Sequence, residues 1–321
     1  MNDRGSRRRT RPAAALALLA AGAAVLAGGG PVGAAPAGAT AAPLAVPAAV
    51  QQEGQEQAEG CDVTKSMPPS TEDGPAVKAI KGRHSLVIGV DQNSYRWGAR
   101  NPNTGQIEGF DIDLARAIGA AVMGDPEKVV LKPVATADRI DAVKKGRVDL
   151  IVRTMTVNCK RLEEVAFSKP YFTMSQRVLV PKASPARTID EAVKDRTVCA
   201  ADGSTALNVV KEKKTARQVV TVENQLDCLV LMQLGKVDAT MTDSGLAAGQ
   251  AAQDQTVRIV DGEAQPEVIG VAMAKDSTDL TARVNQVLAD YYARGDWARS
   301  YEHWLKPYML NEADRYWPGA H

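Results

Sequence analysis

From residue 83 onward, short apolar runs alternate with stretches whose apolar residues recur every three or four positions. The runs at 86–90, 129–132, 150–153, 177–180, 197–200, 219–222, 239–242, 257–260 and 268–273 read as buried strands. A helix is expected over 111–122, where Leu114, Ile118 and Val122 repeat at helical spacing. Further helices are expected at 138–145, 206–213 and 224–234, and as amphipathic segments at 280–294 and 296–304. Such alternation implies α/β architecture with largely parallel sheets. Residues 36 to about 60, rich in Ala, Pro, Gln and Glu, carry no period and read as a flexible tether.

One pattern occurs twice. Gly146-Arg147-Val148-Asp149 follows the 138–145 helix and leads into Leu150-Ile151-Val152, and Gly235-Lys236-Val237-Asp238 follows the 224–234 helix and leads into Ala239-Thr240-Met241. Each reads as helix, glycine C-cap, short turn, strand. Two such units point to two similar α/β lobes, although a four-residue match also arises by chance.

The amino terminus has a different grammar. Arg4, Arg7, Arg8, Arg9 and Arg11 precede an apolar stretch from Pro12 to Leu26 that ends near small residues at 32–35, the layout of a secretory signal cleaved after Ala34 or Ala35. The alternative is an uncleaved anchor over the uncharged residues 13–35. Removing residues 1–35 takes away five positive charges and one negative, moving the formal charge from +1 to −3. Lys plus Arg total 39 against 38 Asp plus Glu, so no strong field invites nucleic acid. With 321 residues, 45% of them hydrophobic, the chain can bury one large core or two medium ones. Four cysteines in an exported chain read as two disulfides. Cys199, in a strand, and Cys228, in a nearby helix, are close enough for one supersecondary unit and are paired on that ground. By elimination Cys61 pairs with Cys159.

In open α/β sheets ligands bind beyond the carboxyl ends of strands. Aligning the two repeated units sets Arg153-Thr154 against Thr242-Asp243, a cation at one strand end and an anion at the other, which would complement a zwitterion. Thr154, Thr156 and Arg161 follow the first unit, and an arginine fork can grip a carboxylate through two charge-assisted hydrogen bonds. The plainer alternative pairs Arg161 with Glu164 on its own helix. Ser204 and Thr205 precede the 206–213 helix, where backbone N–H groups favour an anion; the alternative is an ordinary N-cap, as it is for Asp243. The loop 91–106 carries Asp91, Tyr95, Trp97 and Arg100, a mix suited to covering a ligand. Its alternative is a long hairpin-like connection whose aromatics pack on the body. No nucleophile elbow, phosphate-cradling loop or metal-ligand cluster is visible, so no cofactor or metal is expected.

In their order and spacing, several phrases resemble the polar amino-acid solute-binding proteins, family 3 of extracellular binding proteins, that serve ABC importers. The phrases are Gly109-Phe110-Asp111-Ile112-Asp113-Leu114-Ala115, Gly146-Arg147-Val148-Asp149-Leu150, Met155-Thr156-Val157 with Arg161, and Val165-Ala166-Phe167-Ser168-Lys169-Pro170-Tyr171. Gly203-Ser204-Thr205 and Gly235-Lys236-Val237-Asp238-Ala239 leading to Asp243 complete the series, which spans about 83–305. Gly89-Val90-Asp91-Gln92-Asn93, Val198-Cys199-Ala200 and Asp227-Cys228-Leu229-Val230 are most similar to actinobacterial glutamate-type members.

The resemblance implies a two-lobed periplasmic-binding-protein (type II) α/β fold with two hinge strands near Val180 and Ala272. Its lobes would run over 81–179 and 180–273, with a return to lobe 1 over 274–310, a tail over 311–321, and a disordered tether and arm over 36–80. It makes Arg161 the clamp on a ligand α-carboxylate, helped by Thr156 and the Ser204-Thr205 helix start. Asp243 would take the α-ammonium, with another contact near Thr154, and Arg153 with Arg100 would hold a side-chain carboxylate. The implied function is extracytoplasmic binding of glutamate or aspartate, or else glutamine or asparagine, by a monomer that delivers it to an ABC permease. An amino-acid sensor subunit and a dehydratase of the same fold are the alternatives. No lipobox surrounds Cys61, which follows Glu59-Gly60, and Arg96-Trp97 makes the first loop bulkier than the family pattern.

Overall fold

The computed structural model describes residues 61–125, 128–309 and 315–318; the expected secretion signal (1–35), the tether to residue 60 and most of the expected tail (311–321) lie outside them. Residues 61–80 fall in the segment expected to hold the N-terminal arm. They are fixed to the body by a Cys61–Cys159 disulfide, by Ser66 Oγ donating to the Phe167 carbonyl (2.7 Å), and by Asn285 Nδ2 donating to the Met67 carbonyl (2.6 Å). Helix α1 (Pro75–Gly82) opens with proline where no amide donor is needed and buries Val77 and Ile80, a spacing too short for the periodicity reading to register.

Lobe 1 then begins with β1 (Leu86–Val90), a small hairpin sheet of β2 (Asn93–Ser94), β3 (Gly98–Arg100) and β4 (Ile107–Glu108), and α2 (Phe110–Met123). It continues through β5 (Val129–Pro133), α3 (Arg139–Lys144), β6 (Leu150–Val152), α4 (Cys159–Glu164) and β7 (Val165–Phe167). Lobe 2 comprises β8 (Phe172–Pro181), α5 (Ile189–Val193), β9 (Thr197–Ala201), α6 (Thr205–Lys213), β10 (Gln218–Val222), α7 (Gln225–Gln233), β11 (Ala239–Asp243), α8 (Ser244–Gln253), β12 (Val257–Ile259) and β13 (Ala264–Ile269). The chain returns to lobe 1 in β14 (Ala272–Ala274), α9 (Thr278–Ala293) and α10 (Asp296–Trp304).

The lobe 1 sheet has the order β5-β1-β6-β14-β7, parallel at β5-β1-β6 and antiparallel around β14. The lobe 2 sheet has the order β10-β9-β11-β8-β12, parallel at β10-β9-β11, with β13 antiparallel to β8. An aromatic core of Trp97, Phe110, Tyr171, Phe172, Trp297 and Tyr301 fills one side of lobe 1, and aliphatic side chains dominate lobe 2.

The chain crosses between the sheets at 168–171 and at 270–271. The expected hinge near Val180 is therefore displaced. β8 is ten residues long, and Val180 sits at its far end opposite Arg258, deep in lobe 2. The apolar run that predicts this strand starts at 177 because Thr173, Ser175 and Gln176 interrupt it; of these, Gln176 reaches the cleft residues Thr205 and Asp243. The expected 268–273 strand is likewise two strands broken at Gly270-Val271.

The repeated sequence units are structurally equivalent. Gly146 (φ 62°) and Gly235 (φ 65°) follow their helices in the left-handed conformation that glycine adopts without strain. The aspartate three residues later does the same work in each lobe: Asp149 Oδ2 accepts from Val87 N (2.8 Å), and Asp238 Oδ2 from Thr197 N (2.7 Å). Each thereby pins the start of the neighbouring parallel strand, β1 or β9, and brings β6 and β11 to the cleft in the same sense.

Cys199 is bonded to Cys228 in the core of lobe 2. The Cys61–Cys159 bridge closes a loop of 98 residues at the first residue of α4. In the chain-entropy model, replacing both Cys61 and Cys159 by alanine lowers unfolding stability by about 4.7 kcal/mol. Urea denaturation checks this, and an unchanged midpoint would show that the bridge adds nothing.

Candidate functional site

The carboxyl ends of β1, β5 and β6 face those of β9 and β11 across a narrow, polar cleft. Lobe 1 contributes Asp91, Thr136, Arg139, Arg153, Thr154, Thr156 and Arg161 to the wall, and lobe 2 contributes Ser204, Thr205, Gln225, Thr242 and Asp243, with Ala201, Ala206 and Leu246 as apolar surfaces.

Arg161 is buried on α4, whose N-cap Asn158 accepts from the Arg161 amide (2.9 Å). Its guanidinium donates to the Thr156 carbonyl (2.7 Å) and, across the cleft, to the Gly203 carbonyl (3.1 Å). Glu164, the alternative partner, pairs instead with Lys144 (3.0 Å). Burial lowers the Arg161 pKa, opposed by Glu267 and Asp243. Arg153 has a carboxylate of its own: Nη2 lies 3.1 Å from Asp91 Oδ2, and Nη1 donates to Thr136 Oγ1 (2.9 Å). Asp91 also accepts from the Gln92 and Asn93 amides (2.7 and 3.0 Å) and from Ser94 Oγ (2.7 Å), which closes the turn after β1.

Thr154 occupies the left-handed region at φ 38°, an unfavourable place for a β-branched residue. It is held there by Asp111, whose Oδ2 accepts from the Thr154 amide (2.9 Å) and Oδ1 from the Tyr171 hydroxyl (2.8 Å). Burial pushes the Asp111 carboxyl up to about 7 against these two bonds. Thr156 Oγ1 donates to Glu267 Oε2 (2.8 Å), and Asp243 Oδ1 accepts from Gln176 Nε2 (2.6 Å). Asp243 makes no side-chain cap bond to α8, so its carboxyl is turned toward the cleft rather than spent on the helix. Ser204 does cap α6, accepting from Leu207 N (3.1 Å), and still lines the wall beside Thr205.

Two expected ligand residues stay outside the cavity. Arg100 is exposed on β3 and folds back onto its own hairpin, donating to Gln92 Oε1 (2.8 Å) and the Gly105 carbonyl (2.6 Å). Tyr95 lies edge-on to Tyr308 with the Arg96 guanidinium over its ring at 4.9 Å. The 91–106 segment is thus the hairpin-like connection with packed aromatics; Trp97 is wedged between Phe110 and Phe172, and the edge of its indole lies against Gly245 of α8.

Several cleft residues escaped the sequence reading. Thr136 and Arg139 follow β5, and the strand-end rule applied to 129–132 would have found them. Arg139 is buried, and its guanidinium reaches only carbonyls: Thr136 (2.8 Å), Arg153 (3.3 Å) and, across the cleft, Gly203 (3.4 Å). Burial, then the Arg161 and Arg153 charges, push its pKa down. Among the described residues no carboxylate lies within ion-pair distance of Arg139 or Arg161. Gln176 and Glu267, on the strand pair β8–β13 just beyond the crossings, carried no local signal at all.

A family model described as bacterial extracellular solute-binding proteins, family 3, matches residues 86–307. The chain is 32% identical over 228 residues to the ABC transporter glutamine-binding protein GlnH of Bacillus subtilis, covering 71% of this chain and 84% of that protein. It is 28% identical over 240 residues to the glutamate-binding protein GluB of Corynebacterium efficiens, covering 71% and 81%. Among solved structures, a solute receptor for L-cysteine of Neisseria gonorrhoeae superposes with a TM-score of 0.70 at 26% identity, covering 76% of this chain and 98% of that one. With a two-lobed α/β body, a polar cleft at the strand ends and a family match across both lobes, the chain belongs to the bacterial extracellular solute-binding proteins, family 3.

Proposed function

We propose that this protein is an extracytoplasmic receptor that binds one free amino acid between its lobes and delivers it to an ABC import permease, with glutamate or aspartate preferred. Arg161 and the α6 start take the α-carboxylate, Asp243 takes the α-ammonium, and Arg139 takes the side-chain carboxylate. The observation that carries the preference is the buried Arg139 guanidinium, which has only carbonyl partners. Arg153, the expected receptor for that carboxylate, is already matched by Asp91. A monoamino dicarboxylate supplies one anion to each of the two unmatched arginines and one cation to Asp243. The disulfides agree with an oxidising compartment, and among the described residues no helix is long and apolar enough to cross a membrane.

Calorimetry with L-glutamate, L-aspartate, L-glutamine and L-asparagine tests this. Glutamate or aspartate is expected to bind at least tenfold more tightly than the amides, and Arg139→Met to remove most of that difference. Glutamine binding more tightly than glutamate would reject the acidic preference, and no heat with any of the four would reject the reading as a whole. A second reading, as a dehydratase, draws support from Glu267, a buried carboxyl pushed up to about 8 by burial and by Asp243. Binding without turnover is preferred because Glu267 stands behind Thr156 and Thr205 rather than in the wall. Consumption of prephenate or arogenate by the purified protein would reverse that choice.

A further inference from the structure

The most unusual group in the cleft is a pair of acids. Glu267, on β13, and Asp243, at the end of β11, are both buried and lie close enough for each carboxyl to act on the other. Two ionised carboxylates repel at such range, so such a pair holds one proton between them. Each acid is also fixed from outside, Glu267 by Thr156 Oγ1 (2.8 Å) and Asp243 by Gln176 Nε2 (2.6 Å). Gln176 itself is fully buried, and its Oε1 has no partner, an acceptor left open beside Asp243.

We infer that Glu267 is a proton-carrying positioning residue of the amino-acid site, sharing one proton with Asp243 in the free protein and losing it to solvent when a ligand ammonium docks on Asp243. This rests on the receptor reading above and deepens it. The balance is simple: a carboxylic acid, a carboxylate and an incoming R–NH3+ become two carboxylates with the R–NH3+ docked on Asp243, and one proton leaves for the buffer. No other bond is made or broken.

The electrostatics of the neighbourhood support this. Burial and then the Asp243 charge raise the Glu267 pKa, and burial raises that of Asp243. Arg139 on α3 and Arg161 on α4 are the cations that oppose the rise at Asp243, and the Thr156 and Thr205 hydroxyls oppose it at Glu267. These groups leave the pair protonated near neutrality, and one more cation at contact distance tips it. With Glu267 pushed up to about 8, release is complete below neutral pH and vanishes well above 8. Affinity therefore rises as pH rises, about tenfold per unit between pH 6 and 7, and levels off beyond 8. Asp111, the other buried carboxyl near neutrality, keeps its partners Tyr171 and Thr154 on the lobe 1 side.

The test is calorimetry of the full chain with L-glutamate and with L-glutamine at pH 7, in phosphate and in Tris, whose ionisation heats differ. The binding enthalpies are expected to differ between buffers by the equivalent of about one released proton. Glu267→Gln, which retains a side chain able to bond Thr156, is expected to abolish both the buffer difference and the pH slope. Equal enthalpies in the wild type or persistence of the difference in Glu267→Gln would each overturn the inference. A ligand-independent check is carbon NMR of the glutamate side-chain carboxyls in the free protein. The resonance missing from Glu267→Gln is expected to titrate above pH 7, and a midpoint in the ordinary carboxylate range would overturn the inference whatever the ligand. A raised midpoint with no amino-acid heat would instead overturn the receptor reading, and the linkage with it.

Discussion

Replacing Arg161 by alanine is expected to weaken amino-acid binding about a thousandfold while the protein still folds. Truncating one member of a buried, hydrogen-bonded charge pair costs about 2–5 kcal/mol, and here the ligand carboxylate would lose a two-pronged donor within a dry cleft. Arg161 also spans the lobes through the Gly203 carbonyl, so its loss weakens closure as well as the direct grip. Arg161→Lys is expected to recover only a small part, because an ammonium cannot present two parallel N–H groups. Calorimetry gives the affinities, and circular dichroism shows that the fold persists. Binding within a factor of ten of wild type would mean that the carboxylate docks elsewhere.

The second large effect is predicted at a residue that touches no ligand. A Cβ built on Gly245 would sit 2.3 Å from Trp97 Cζ2 and 2.8 Å from Cε2, and four residues further along the same face of α8 a Cβ on Gly249 would sit 2.9 Å from the Tyr95 carbonyl oxygen. These glycines let α8 of lobe 2 approach the hairpin of lobe 1. The indole has nowhere to retreat, since Phe110 and Phe172 hold its centroid at 5.3 and 4.9 Å. Gly245→Val is therefore expected to keep both lobes folded but apart, with affinity falling at least a hundredfold. Small-angle scattering would show no contraction on adding amino acid. Contraction equal to wild type would show that the lobes meet without this contact.

Both predictions concern the meeting of two lobes, and this was only partly legible in the sequence. Strands such as β1 and β9, apolar at nearly every position, announce themselves because they are buried on both faces. The repeated Gly-x-Val-Asp units carry the lobe symmetry because the aspartate has a fixed task, tying down the neighbouring strand. Arg161 and Asp243 stand at strand and helix ends, where position alone suggests a site. Glu267 and Gln176 do not, since a polar residue within a strand looks like a solvent-facing one until the partner across the cleft is known. The same ambiguity hid the first half of β8 and moved the expected hinge toward Val180. Arg100 and Tyr95 failed for the opposite reason. Their chemistry suits a ligand, but a tight three-stranded hairpin turns Arg100 back on its own loop and Tyr95 toward Tyr308.

The bridge from Cys61 to Cys159 ends on the first residue of α4, two positions before Arg161. The bridge thus ties the placement of the Arg161 guanidinium to the oxidation state of two thiols far apart in the sequence. While the thiols are still reduced, the short helix lacks its covalent anchor and the guanidinium is held only by its hydrogen bonds.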